Sequence, residues 1–549
     1  MNRYKNHISQ YTLILATTIF FVLFDNVSFF QNTLKVYSFS GINILYIISL
    51  TIVLLSFIVL LFTLVSSKYT TKPILIITLM VSSFTNYFMN NYSVIIDSDM
   101  IRNTMQTNYS ESMDLLSIKL VLYVVFLGIL PSFIVYQTKI DYSKNLKDEM
   151  ILKLKVILSS LAIIIIMIVS FSKFYTSFFR EHKPLRYYTN PTYWIYGTGK
   201  YINETYNTVD KTLKTIGEDA KIVTTDKKPN LVIMVVGEAT RANKLSLNGY
   251  NKETNPLLKK EKIINFSNFY SCGTSTAESV PCMFSVFERD DYDYQKGKYT
   301  ENVLDILNKT NDIEILWRDN NSDSKGVATR VSYQDYKSSK NNPICDEECR
   351  DEGMLVGLDK FIKNSKKKNI LIVLHQMGNH GPAYYKRYTK EFKKFTPVCK
   401  TNQLEKCSKE EINNAYDNAV LYTDYFLSKT INLLKKYPQY KTSMLYISDH
   451  GESLGEHGIY LHGLPYFMAP DEQKHIASIF WSNDKNYYKL LENKQDKEFS
   501  QDNLFHTLLG LFNVKTKVYK KDLDMLKDKD WETNQNTTYL KIHLMHLLD

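Results

Sequence analysis

Cysteine is scarce, six residues in 549, and none lies before Cys272. Glycine (19) and proline (13) are too few for a collagen-like or low-complexity chain. No uncharged apolar run of bilayer length occurs after about residue 173, and the mean hydropathy of −0.24 excludes a chain embedded in a membrane throughout. A 44% hydrophobic content excludes a disordered one. Lysine and arginine number 67 against 57 aspartates and glutamates, an excess shared evenly by the two parts of the chain. That is too mild for nucleic acid, so no nucleic-acid partner is expected, but it suits an anionic membrane surface.

What is present divides at residue 173. Five apolar runs lie at 11–30, 42–65, 74–89, 118–135 and 156–171. Asp25 interrupts the first, and Ser82, Ser83 and Asn86 weaken the third. Arg3 and Lys5 precede the first run and no small-residue cleavage site follows it, so an uncleaved anchor is expected. Placing Arg3 and Lys5 inside also places Lys68, Lys72, Lys139, Lys144, Lys147, Lys153 and Lys155 inside. Five spans then put everything after Phe171 outside the cytoplasm. The expected domains are a five-helix transmembrane part over 1–173, an aromatic interfacial connector over 174–228, and a catalytic part over 229–549.

The cysteines test that topology independently. Cys272 and Cys282, Cys345 and Cys349, and Cys399 and Cys407 make three close pairs in the segment placed outside, where disulfides persist. Cysteine-bound zinc is the rival reading, but no pair has the two-residue spacing of a zinc knuckle.

After Pro229, strands expected at 231–236, 313–317, 370–374, 444–447 and 476–481 alternate with helices, including a long one over 411–436. This pattern predicts an α/β domain with a largely parallel sheet, whose sites gather beyond the carboxyl ends of its strands. Three of those ends run into Gly237-Glu238, into His375 to Pro382, and into Ser448-Asp449-His450-Gly451-Glu452. Carboxylates and imidazoles without thiolate suit Zn²⁺ or Mn²⁺. Between Cys272 and Cys282, Ser275 and Glu278 match a helix capping box, which puts the Thr276 hydroxyl in the first turn of a helix, where backbone N–H groups favour a phosphate. That segment fits a nucleophile loop and a merely clamped helix start equally well.

The strings VVGEATRANKLSLNGYNKETNPLL, SCGTSTAESVPCMFS, DNNSDSKGV, LHQMGNHGPAYYKRY and SMLYISDHGESLGEHGIYLHG resemble the phosphoethanolamine–lipid A transferases, which include the mobile colistin-resistance enzymes and belong to the alkaline phosphatase superfamily. The resemblance implies a five-span anchor with an external zinc-dependent domain of alkaline phosphatase/sulfatase type, in the bacterial inner membrane and facing the periplasm. It implies Thr276 as nucleophile; Glu238, Asp449, His450 and the Thr276 oxygen as Zn²⁺ ligands; and Lys325, His380 and His462 as catalytic side chains. Ser322, Lys325, His380 and His462 would line the phosphoethanolamine site, and Asn103, Thr107 and Glu111 would contact substrate from one face of a helix. The implied partners are phosphatidylethanolamine and lipid A, the protein acting as a monomer and conferring resistance to polymyxins. His457 is expected at the surface, and the tail with His543 and His546 is expected to pack as a helix rather than bind metal.

The alternatives are a phosphoglycerol transferase of the lipoteichoic acid synthase type, or phosphoethanolamine transfer to lipopolysaccharide core or a periplasmic protein. A formylglycine sulfatase is disfavoured, since no C/S-x-P-x-R string is present. A dead enzyme fold serving as a tethered sensor is disfavoured because every matched position retains its chemistry.

Overall fold

The structure is a computed structural model that describes residues 7–107, 109–143, 145–206, 211–223 and 228–527. The expectations for Arg3, Lys5, Lys144, His543 and His546 lie outside the described residues. Two compact units form, Met1–Arg102 with Leu115–Asn203, and Asn103–Asp114 with Glu204–Asp549.

The first unit is helical. Helices α1 (Gln10–Phe24) and α2 (Val27–Val36) are bent by 56° at their junction, where Asp25 interrupts the apolar run. They are followed by α3 (Ile42–Val65), α4 (Thr71–Tyr92), α5 (Ile118–Gln137) and α6 (Leu146–Ser170). Four of these helices are long and apolar enough to cross a membrane, or five spans if the bent pair counts as one.

The bend frees backbone carbonyls that water would otherwise satisfy. Amides of buried asparagines replace it: Asn26 Nδ2 donates to the Phe21 carbonyl and Asn86 Nδ2 to the Phe24 carbonyl. Gly128 of α5 lies so close to α4 that a Cβ there would meet Ser83 Oγ at 2.7 Å. Tyr175, Phe178 and Leu185, from the aromatic stretch after α6, are buried in this same unit.

The second unit is built on a seven-stranded sheet. Its strands in chain order are β1 (Asn230–Gly237), β2 (Ile264–Phe266), β3 (Ile313–Asp319), β4 (Ser332–Asp335), β5 (Asn369–His375), β6 (Lys441–Ser448) and β7 (Ser478–Ser482). The spatial order is β2-β7-β6-β1-β5-β3-β4. Pairing is parallel from β6 across to β4 and antiparallel at β7 and β2, so the sheet is largely parallel, as expected.

Residues of β1 and β5 are buried throughout, which explains their continuous apolar runs: helices cover both faces of a parallel sheet. The long helix expected over 411–436 is α8 (Lys409–Leu434), capped by Ser408 and Glu411, and it follows the short α7 (Thr276–Met283). All three cysteine pairs are bonded: Cys272–Cys282, Cys345–Cys349 and Cys399–Cys407.

Candidate active site

The register of the central strands sets the site. Ile447 of β6 pairs with Val236 of β1, and Val236 in turn with His375 of β5, so the three strands end level. The residues that follow therefore meet at one edge. Glu238, Asp449 and His450, all fully buried, bring one ligand atom each within 4.8 Å of one another.

Glu238 Oε2 accepts from Thr276 Oγ1 at 3.0 Å and from Asn321 Nδ2 at 2.8 Å. Asp449 Oδ1 accepts from the backbone N–H groups of Ala239 and His450. Each carboxylate thus has one oxygen fixed by protein donors. The other oxygens, Glu238 Oε1 and Asp449 Oδ2, are buried without a hydrogen-bond partner.

His450 completes the argument. Its Nδ1 lies 2.8 Å from the Gly451 carbonyl, which can only accept, so Nδ1 carries the proton. Burial holds the ring's pKa below its ordinary value, against the pull of Asp449, and so favours its neutral form. Its Nε2 lone pair therefore faces Glu238 Oε1 at 3.3 Å, Asp449 Oδ2 at 3.4 Å and Thr276 Oγ1 at 3.4 Å. Three potential lone-pair donors aimed at one buried point, two of them carboxylates whose charges repel, fit a divalent cation that would offset that repulsion. The electrostatics agree: burial, reinforced by the Asp449 charge, pushes the Glu238 carboxyl well above the usual carboxylate range.

Thr276 is the first residue of α7, as expected for a hydroxyl presented at a helix start. The capping box, however, does not form: Ser275 accepts the N–H groups of Glu278 and Ser279 through its backbone carbonyl, and its hydroxyl makes no cap bond. Gly273 is confined beside this turn, since a Cβ there would meet Glu278 Cγ and Oε2 at 2.8 Å.

A second cluster adjoins the first. His462 Nδ1 lies 2.7 Å from Glu452 Oε2, and Tyr384 donates its hydroxyl to Glu452 Oε1 at 2.6 Å. The His462 ring is 4.2 Å from that of His450 and 5.6 Å from that of His380. Burial would lower the His462 pKa, but the Glu452 carboxylate outweighs it and raises it. His380 has no such partner, so burial and the neighbouring His462 and Arg387 hold it well below the ordinary histidine value. Two imidazoles side by side are thus pushed in opposite directions, one toward the protonated form and one toward the neutral form.

Ser322 and Lys325 follow β3. Ser322 donates both its N–H and its hydroxyl to Asn321 Oδ1, while Lys325, at φ +49°, points its amine to the Gln106 carbonyl at 3.2 Å. Asn103, Thr107 and Glu111 do not lie on one continuous helix as expected: Asn103 is in the helix Ser98–Gln106, Glu111 in the helix Tyr109–Asp114, and Thr107 between them. The Thr107 hydroxyl takes the Asn103 carbonyl, and the Thr107 N–H turns to Thr104 instead, so the helical ladder stops there. Glu111 is nonetheless buried and its charge is felt at both Glu238 and His462. His457 is exposed, as expected of a surface histidine.

Sequence reasoning missed Asn321, and it placed Glu452 in the run after β6 without giving it a role. Asn321 joins three strand ends, donating to Glu238 Oε2 and to the Gln376 carbonyl at 2.8 Å each while holding Ser322. Both stand inside the motif strings already singled out, one residue before Ser322 and two after His450. Their types alone did not distinguish them from ordinary turn residues.

A parallel sheet ending in this cluster of acids and imidazoles belongs to the class of the family described as Sulfatase, which matches residues 230–514. A second family, described as Phosphoethanolamine transferase EptA/EptB, matches residues 54–206. The chain is 44% identical over 525 residues to Phosphatidylethanolamine transferase Mcr-1 of Escherichia coli, covering 93% of this chain and 96% of that protein. It is 38% identical over 528 residues to Phosphoethanolamine transferase EptA of Escherichia coli strain K12, covering 94% and 96%. Among solved structures, the integral membrane lipooligosaccharide phosphoethanolamine transferase A from Neisseria meningitidis matches with a TM-score of 0.90 at 33% identity, covering 95% of this chain and 99% of that one. The chain belongs to the phosphoethanolamine transferase family.

Proposed function

We propose that this protein takes phosphoethanolamine from phosphatidylethanolamine and places it on a phosphate of lipid A, through a phosphothreonine at Thr276. The observation that carries the reading is the Thr276 hydroxyl, 3.0 Å from Glu238 Oε2 and 3.4 Å from His450 Nε2, at the start of a buried helix. A threonine hydroxyl is a weak nucleophile unless a base or a metal activates it, and both are provided for here.

Glu238, Asp449, His450 and the Thr276 oxygen would hold a Zn²⁺ ion. When bound, that ion supplies Lewis-acid polarisation and lowers the pKa of the coordinated hydroxyl.

In the first half-reaction the Thr276 hydroxyl gives its proton to Glu238 Oε2, its hydrogen-bond acceptor, Oγ attacks the phosphorus of phosphatidylethanolamine, the bond to the glycerol oxygen breaks, and diacylglycerol leaves with a proton. His462, held toward its protonated form by Glu452, is placed to give that proton. Lys325 and His380 offset charge developing on the phosphoryl oxygens, and Ser322 lines the site. Asn103, Thr107 and Glu111 contact substrate, with the Glu111 carboxylate suited to the ethanolammonium cation.

In the second half-reaction a lipid A phosphate oxygen attacks the same phosphorus, its proton passes to His462, and Thr276 Oγ leaves, recovering the proton held at Glu238 Oε2. Two lipids visiting one nucleophile in turn give ping-pong kinetics. The protein acts as a monomer in the inner membrane with its catalytic part in the periplasm, where the disulfides persist. The added ethanolammonium masks negative charge on lipid A and lowers the attraction of polymyxins and other cationic peptides.

Mass spectrometry of lipid A from cells expressing the wild type and Thr276→Ala at equal abundance tests the reading. The expected result is phosphoethanolamine-modified lipid A with the wild type only. Identical spectra would overturn it, and modification of lipopolysaccharide core or of a periplasmic protein instead would replace the acceptor.

A further inference from the structure

The segment Asn103–Asp114 is flanked in sequence by helices of the membrane unit, yet it belongs to the catalytic unit. Its ends are tied there by different means. At one end, Lys325 Nζ donates to the Gln106 carbonyl and Gln106 Nε2 donates to the Tyr294 hydroxyl at 2.9 Å. At the other, the Asp114 carboxylate is buried between Lys386 Nζ and Arg387 Nη2, the latter at 2.7 Å. The Asp114 backbone carbonyl also accepts from Asn402 Nδ2 at 2.6 Å.

Arg387 does more than neutralise a charge. Its side chain is 1% exposed, and each of its nitrogens has a separate partner: Nη2 holds Asp114, Nη1 holds Glu348, and Nε donates to the His380 carbonyl at 2.7 Å. Glu348 is fixed in turn because it stands in the three-residue loop closed by Cys345 and Cys349. A guanidinium is a rigid planar fork, so seating one nitrogen sets the direction of the others. The carboxylate of Asp114 and the backbone of His380 are therefore two ends of one rigid link.

We propose that Asp114 and Arg387 are positioning residues: their buried ion pair clasps the 103–114 segment, which carries Asn103, Thr107 and Glu111, to the loop bearing His380, and so assembles the site for the ethanolammonium phosphate headgroup of the donor lipid. Neither side chain touches the reacting atoms. The clasp acts through Glu111 on one side and His380 on the other. This rests on the donor lipid named above, and its test is chosen so that the two fail separately.

The test uses the full chain in detergent–phospholipid micelles, with Asp114→Asn, Arg387→Lys, the double variant and Lys386→Gln. Removing one member of a buried pair strands the other. Asp114→Asn is expected to speed hydrogen exchange over 103–114 by about tenfold or more while β1 and β5 keep their protection. It is also expected to raise KM for phosphatidylethanolamine about tenfold with kcat within about threefold.

Arg387→Lys keeps the charge but loses the fork, so it should raise KM similarly and lower kcat as well, through His380. The double variant should be no worse in KM than Arg387→Lys alone, because both changes break one link. Should Asp114→Asn fail to fold, Lys386→Gln, at a partly exposed amine, weakens the same carboxylate and should give the same pattern at about a third of the size.

Unchanged exchange over 103–114, an unchanged KM, or effects that multiply in the double variant would overturn the clasp. A wild type that transfers nothing from phosphatidylethanolamine would break the functional reading instead, and the exchange arm would still decide the clasp.

Discussion

The two units differ in where they leave apolar surface. In the catalytic unit, the middles of β1 and β5 bury only apolar side chains, and polar groups collect where the strands end. The membrane unit has an apolar core too, around Phe21, Phe29 and Tyr46, but there many apolar side chains also face outward: Leu154, Ile165 and Val169 of α6 are 55%, 59% and 68% exposed. Polar ones turn inward there, with Asn26, Asn86 and Asn190 buried and bonded to one another's helices. The difference teaches what surrounds each unit. Water drives apolar groups to the centre of one, whereas lipid is as apolar as leucine and leaves hydrogen bonds and close packing to hold the other.

That contrast can be broken from either side. The largest effect is expected from Val235→Asp, at a fully buried position of β1 with sheet neighbours on both sides. A carboxylate with no partner should cost about 4 kcal/mol or more, and limited proteolysis should find the catalytic unit unfolded. Ile165→Arg should leave that unit intact but oppose insertion of α6 by about 3 kcal/mol, read as a smaller alkali-resistant membrane fraction.

The smallest effect sharpens the comparison rather than breaking it. Asn26→Leu makes the membrane unit more apolar, yet it removes hydrogen bonds to the Phe21 and Asn190 carbonyls and the acceptor of the Asn190 N–H. It should therefore destabilise by about 1–3 kcal/mol, seen as a lower thermal midpoint in detergent. A gain in stability would show that burial of apolar surface governs this unit as it does the other.

The same contrast decides what was legible in the sequence. Strands β1, β3, β5, β6 and β7 and the helix α8 stood out because each buries a continuous or periodic apolar pattern. The edge strand β4 did not, since its residues are mostly exposed and polar. Glu238, Thr276, Asp449 and His450 were legible because they follow strands or open a helix, and the fold brings them together.

What was not legible turns either on which of several local partners a backbone group takes or on partners distant in the chain. The hydroxyl of Thr107 breaks a helix that its spacing suggested, and Ser275 caps α7 by backbone alone although its motif fits a capping box. The bond between Asp114 and Arg387 spans 273 positions. No local pattern encodes such pairs.

The central claim is that Thr276 carries the group in transit. Purified protein incubated with phosphatidylethanolamine in the absence of acceptor, then digested and analysed by mass spectrometry, tests it most directly. The account predicts that the peptide containing Thr276 gains one phosphoethanolamine group, which is lost on adding lipid A as the modified lipid appears. Transfer to lipid A with Thr276 never modified, or modified elsewhere in the chain, would contradict it.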